Sequence, residues 1–225
     1  MDLRDKILFE PPEIGCVLSL TGLPGGGSKI YDRSPYGNIG TIIGATWKRL
    51  PSGLWCLSFD GTDDYVDCGT GASLILGTGD FAVEAWVNSV DSPKDDWPVV
   101  MARGSTGAGE WMLRLADFGL LNFYGRGANI NITGTTDLKD AAWHHCAFVR
   151  PGDNGFIYVD GSEEKSGAGI DSVNLDTAIS LKVSSNLAKR HWEGYIALPR
   201  VYNRALTALE IQNHFQREKH LFGAW

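Results

Sequence analysis

Hydrophobic and polar residues alternate with period two along most of this chain, most clearly over residues 53–88, GLWCLSFDGTDDYVDCGTGASLILGTGDFAVEAWVN. Trp55, Leu57 and Phe59 fall on one side of an extended segment and Cys56, Ser58 and Asp60 on the other. Phe81, Val83, Ala85 and Val87 likewise alternate with Ala82, Glu84, Trp86 and Asn88. Such alternation predicts strands with separate core and outer faces. The Asp60-Gly61-Thr62-Asp63-Asp64-Tyr65 stretch between them reads as a tight turn, since Asp and Gly supply the backbone conformations it needs.

The same period predicts an opening strand over 15–21 and strand character at Thr41-Ile42-Ile43, at Val99-Val100-Met101 and at Ile130/Ile132. Residues 110–124 predict two strands meeting at Asp117-Phe118-Gly119, a hairpin signal. Later strands are predicted over 143–149, 155–161, 179–183 and 191–202. Polar or Gly-rich links follow Leu23 and Ser92. One helix closes the pattern, with Thr207 as N-cap, Glu210 as its capping-box partner, and Leu209, Ile211 and Phe215 as the apolar face. The expectation is an all-β, two-sheet antiparallel sandwich with a short C-terminal helix.

Composition narrows the class. A chain of 225 residues, 43% hydrophobic and with 28 glycines, suits one β domain rich in turns. No apolar run approaches the ~20 residues of a membrane span, so no membrane insertion is expected. The mixed-charge start MDLRDKILFEPPEIG has no apolar segment of the secretory kind. A formal charge of −7 argues against nucleic acid as a partner. Cys16, Cys56, Cys68 and Cys146 contain no C-x-x-C pair, which argues against zinc, and free thiols are the expectation. Residues 1–13 read as an arm, 14–218 as the domain and 219–225 as an aromatic tail.

Three stretches carry a family resemblance. The first is L-S-F-D-G-x-D-D-Y-V followed by F-x-V-E-A-W-V. The second is Y-D-x-S-x-x-G-N-x-G-T at residues 31–41, and the third is W-H-H-x-A-x-V, a turn and Y-V-D-G at 143–161. The end, G-Y-I-x-x-x-R-V-Y-N-R-A-L-T-x-x-E-I, completes the series. Together they resemble the laminin-G-like, or concanavalin A-like lectin/glucanase, jelly-roll family over about residues 14–218. That resemblance implies a jelly roll that binds glycans or proteins at a sheet face or rim.

It also implies a structural calcium held by the Asp32–Asn38 loop, with Asp32 and Asn38 as ligands and Asp60 beside them. Read by itself, Asp32 either caps its own turn or offers oxygens to a cation. The chain departs from the family pattern at Ile39, where relatives often have His, and at Ala197, where they usually have Asp.

Catalysis is not expected. Glucanases of this fold carry two Glu and an Asp on one strand face, E-x-D-x-x-E, and no Glu here stands in such a run; Glu84 is followed by Trp86 and Asn88. The adjacent His144 and His145 must point to opposite faces of a strand, which keeps them from one ion. Sugar binding asks for aromatic rings with polar groups beside them. Trp86, Trp97, Trp111, Phe123, Tyr124, Arg114 and Arg126 supply that material, and Trp97, Trp111, Tyr124 and Arg126 are the chosen ligand candidates.

The expectation is therefore a non-catalytic carbohydrate-binding or adhesive module facing a cell-surface glycan, displayed in a homo-oligomer or on a virion surface. The alternatives are a structural virion component without glycan binding, a glycan hydrolase, or a cytoplasmic location. Display is expected from the absent secretory segment and from apolar ends that could dock on neighbouring subunits: Ile7, Leu8 and Phe9, then Leu221, Phe222 and Trp225.

Overall fold

The computed structural model describes residues 13–21, 27–89, 97–104, 109–126, 130–169, 174–186 and 190–223. Among them are sixteen strands: β1 (Cys16–Ser19), β2 (Lys29–Ile30), β3 (Gly40–Ile43), β4 (Thr46–Arg49), β5 (Trp55–Asp60), β6 (Tyr65–Asp67), β7 (Phe81–Ser89), β8 (Val99–Arg103), β9 (Trp111–Leu115), β10 (Leu120–Gly125), β11 (Ile130–Asp137), β12 (Trp143–Arg150), β13 (Asn154–Val159), β14 (Ser162–Ala168), β15 (Leu181–Val183) and β16 (Glu193–Tyr202). One helix, α1 (Ala208–Glu218), follows. The strands form two antiparallel eight-stranded sheets. The first runs β14-β13-β12-β7-β16-β5-β4 with β1 paired to β16, and the second runs β11-β10-β9-β8-β15-β6-β3-β2.

Alternation drives the packing. Phe81, Val83, Ala85 and Val87 of β7 meet Leu113, Leu115 and Phe123 of the second sheet in the main core. Phe123 stacks on Phe148 with ring centroids 3.7 Å apart. The opposite face of the first sheet is buried as well, under α1. Ala82, Ala147 and Tyr202 pack with Ile211, while Trp86 packs with Leu221 and Phe222. β7 is thus buried on both faces, and its outer residues Ala82, Glu84 and Trp86 are a second core rather than a wet surface.

The capping box forms as expected: the Thr207 side chain accepts from the Glu210 N–H and Glu210 reaches back to the Thr207 N–H. Leu209 departs from the expected apolar face. It is 64% exposed, because α1 lies on Ile211, His214 and Glu218. The tail also departs from expectation. A 3-10 turn over Lys219–Leu221 continues α1, and Leu221 and Phe222 are buried on the domain itself. Phe222 stacks on Trp86 at 4.2 Å, so neither side chain is available to a neighbouring subunit. Residues 1–12 and Trp225 lie outside the described residues. All four cysteines are free and buried, and burial pushes the Cys16 and Cys56 thiols up to about 12, which makes them unreactive.

Beneath α1 lies a buried ionic network. Glu84, wholly buried, meets His214 Nδ1 at 2.9 Å, accepts from Arg200 Nη1 at 2.7 Å and from the Tyr202 hydroxyl at 3.0 Å, and has His145 Nε2 at 3.3 Å. His214 reaches Glu13 through its other nitrogen at 3.0 Å. Arg200 also pairs with Glu218, whose second oxygen accepts from Trp86 Nε1 at 2.7 Å. His144 and His145 do point apart: His144 bonds Asp160 at 2.8 Å while His145 sits in this network. Among the described residues no helix is long and apolar enough to cross a membrane.

Candidate functional site

α1 and the segment after it cover the middle of the first sheet's outer face, and the candidate cluster lies on the outer face of the second sheet. There β8, β9 and β10 run side by side. Tyr124 stands opposite Met112 and Asn122 opposite Arg114, whereas Trp111 stands opposite Gly125. Directly opposed residues share a face, so Arg114, Met112, Asn122 and Tyr124 form one outward set. Trp111, Leu113, Leu115, Leu121 and Phe123 form the inward one.

Trp111 is therefore not a ligand residue. It is wholly buried and its ring lies 6.0 Å from Phe123 in the sandwich core. The composition that made it attractive says nothing about register, and one step along a strand reverses the face.

The outward set is built on a fixed polar frame. Asn122, wholly buried, donates to Asn131 Oδ1 at 2.8 Å and to Thr133 Oγ1 at 2.9 Å, and accepts from Arg114 Nε at 2.8 Å. This orients the Arg114 guanidinium, which stands 4.5 Å from the ring centroids of both Trp97 and Tyr124. Arg190 approaches the same Trp97 ring at 5.0 Å.

Backbone bonds hold the surrounding segments in place. Leu115 N–H donates to the Pro98 carbonyl at 2.9 Å, and Val99 N–H donates to the Arg190 carbonyl at 2.9 Å. Trp97 Nε1 donates to Asp117 Oδ1 at 2.8 Å. Trp97 and Arg190 both adopt left-handed backbone, with φ of 74° and 65°. That conformation is uncommon for large side chains and recurs where surroundings force a residue into a working position.

Electrostatics mark the same place. Burial brings Arg114 down to about 10, and the nearby Arg190 charge adds to the effect. Glu110, at the start of β9, is 1% exposed. Burial raises its carboxyl, against the pull of Arg126, Arg190 and Arg114. Arg126 Nε lies 3.4 Å from Glu110 Oε2, and the Arg126 N–H donates to the Glu110 carbonyl at 2.9 Å. Neither Glu110 oxygen has a hydrogen-bond donor among the described residues.

Of the four ligand candidates, the structure brings Trp97 and Tyr124 together around Arg114, and ties Arg126 to Glu110 at the edge of the cluster. Arg190, Asn122 and Glu110, which are not among the four candidates, lie in or beside the same cluster. Arg190 gave no local signal, since only chain folding carries it to Trp97.

The metal candidates separate. Asp32 and Asn38 meet, but within one closed loop. Asp32 Oδ1 accepts from the N–H groups of Ser19 and Ser34 at 2.8 Å each. Its Oδ2 accepts from Asn38 N–H at 2.8 Å and Ser34 Oγ at 2.6 Å. Four hydrogen bonds occupy this carboxylate, so it caps its own turn and holds β1 to the loop.

Asp60 instead groups with Asp63 and Asp64, their ligand oxygens within 4.8 Å of one another, a donor set that fits a hard cation. Ala197, where relatives have Asp, is buried opposite Trp86 and packs in the layer near the C-terminal segment.

Comparison with known proteins follows the same lines. The family model for the concanavalin A-like lectin/glucanases superfamily matches residues 60–212. A sequence search of curated proteins finds no match. Solved structures share the fold. The binding domain of Paraclostridial Mosquitocidal Protein 1 superposes with a TM-score of 0.73 at 15% identity, over 99% of this chain and 56% of that one. Trypanosoma rangeli sialidase in complex with sialic acid gives 0.68 at 19%, over 94% and 34%. The binding domain of Botulinum Neurotoxin DC in complex with SialylT gives 0.67 at 11%, over 96% and 52%. The chain thus spans between about a third and somewhat over half of the length of these structures. Motifs, sheet order and family match agree: the chain belongs to the concanavalin A-like lectin/glucanase superfamily.

Proposed function

We propose that this domain is a non-catalytic carbohydrate-binding module whose ligand seat is the outer face of the second sheet, around Trp97, Arg114 and Tyr124 with Arg126 at the edge. The observation that carries this reading is the cluster of two aromatic rings around an oriented guanidinium, on the face that α1 does not cover. A binding domain in complex with SialylT and a sialidase in complex with sialic acid share the fold, which supports carbohydrate as the ligand class. The non-catalytic part is supported by β9 itself. The outward positions after Glu110 are Met112 and Arg114, so the second carboxylate of a glycosidase pair does not follow on that strand face.

A glycan array probed with the intact protein tests this. Binding is expected, and Trp97→Ala should weaken it about tenfold, the scale of losing a central aromatic contact, with an unchanged circular dichroism spectrum. A blank array, or Trp97→Ala binding like the parent, would count against the seat.

Calcium stays in the proposal at one place, the Asp60–Asp64 turn, supported by its three carboxylates. Saturating calcium at ~100 times its dissociation constant should add about 2.7 kcal/mol and raise the melting midpoint by roughly 5–10 °C. Asp63→Asn should abolish the shift. No shift in the parent protein removes calcium from the account.

A further inference from the structure

The charges of the proposed seat do not balance internally, and the imbalance has a direction. Arg114, Arg126 and Arg190 face Glu110 and Asp117. Arg126 lies against Glu110, and Asp117 is engaged by Trp97 Nε1. The Nε of Arg114 is given to the neutral Asn122, and among the described residues no carboxylate accepts from its terminal nitrogens or from Arg190. Two guanidinium groups therefore share one indole, 4.5 and 5.0 Å from its centroid, where burial and the neighbouring Arg190 disfavour the charge on Arg114. The two flat faces of the aromatic pair are likewise already engaged by guanidinium, so recognition at this point runs through arginine edges as much as through ring stacking. Beside them is a buried carboxyl whose two oxygens have no donor among the described residues.

We propose that the ligand is an acidic saccharide: its carboxylate docks on the terminal nitrogens of Arg114, and the charge of Arg190 reinforces that contact. This rests on the carbohydrate reading above and adds the chemical class. Guanidinium matches carboxylate geometry through paired N–H donors.

Matched probes test the claim. Galacturonic acid is compared with galactose, and sialylated lactose with lactose, by calorimetry on the intact protein and on Arg190→Gln. The acidic member of a pair should bind about ten- to hundredfold more tightly, the scale of one or two charge-assisted hydrogen bonds. That preference should shrink with added salt and shrink again in Arg190→Gln. Arg190 is partly exposed, so Arg190→Gln should melt like the parent, and its melting curve is recorded alongside. Equal affinity for acidic and neutral members, with Arg190→Gln behaving like the parent, overturns this inference and leaves the carbohydrate reading standing. No binding by any probe, on an array that is also blank, overturns both.

Discussion

Replacing Glu84 by Gln should destabilise the domain by about 3–5 kcal/mol, the usual cost of removing one partner from a buried ion pair. Glu84 is the acceptor on which His214, Arg200 and Tyr202 converge, and its loss leaves buried cations facing a neutral amide. Burial would raise the Glu84 carboxyl, but His214 and Arg200 outweigh it and hold it well below the usual carboxylate range. Burial likewise opposes charge on His214, yet Glu84 and Glu13 raise it from 6.5 to about 10.

A sign follows for the dependence on pH. Between about 6.5 and 10 the folded chain keeps a proton on His214 that the unfolded chain releases. Stability from this group is complete below about 6.5 and falls as pH rises toward 10. Glu84 acts at the other end, its contribution present above its ordinary 4.5 and lost as pH falls further. Urea melts at pH 6, 8 and 9.5 should therefore show a declining midpoint in the parent and a flatter one in Glu84→Gln. A parent midpoint constant across that range, with a small cost for the variant, would mean that the network is energetically idle.

Removing residues 221–225 should cost a comparable amount, about 3–5 kcal/mol, the range for truncating a buried phenylalanine to alanine. Phe222 is 7% exposed, lies on Trp86 at 4.2 Å and contacts Trp143 at 4.8 Å. Deleting it uncovers the Trp86 ring and opens a path for water toward Glu218, so the effects of this truncation and of Glu84→Gln should fail to add. Phe222→Ala is the milder version, with a red shift in tryptophan emission as a second readout. A tail that served only to dock on a neighbouring subunit would give neither effect, and its removal would leave the urea midpoint in place.

Much of the fold was legible before any coordinates. The alternation at 81–88 separated the two sides of β7 correctly, though its outer side is a second core, and the Thr207–Glu210 pair located the start of α1 to the residue. The opposed directions of His144 and His145 followed from strand geometry alone. The candidate site was legible only in part. Trp97 and Tyr124 were found because each lies near a predicted loop and carries a ring with a polar handle. Trp111 was misplaced because an aromatic residue fits a core face and a ligand face equally well in composition. Glu110 was passed over because it was weighed only as half of a catalytic pair. Asp32 drew attention as a cation ligand for the same chemistry that lets it collect four hydrogen bonds from its own loop.

The sequence by itself determined the class of fold, the order of most strands, the capped helix and the presence of aromatic and arginine residues suited to a polar ligand. These are local properties: period, capping and turn chemistry act over a few residues, and each leaves its trace in neighbouring positions. The tertiary structure alone decided that α1 and Phe222 cover Trp86 and its neighbours on the first sheet, that Arg114 and Tyr124 share the outer face of the second, and that Arg190 reaches Trp97. Hydrophobic burial is non-directional, so a pattern says that Phe222 belongs under cover but not under what. Cross-strand register, set over the whole sheet, is what put Tyr124 and Arg114 on one face and turned Trp111 to the other.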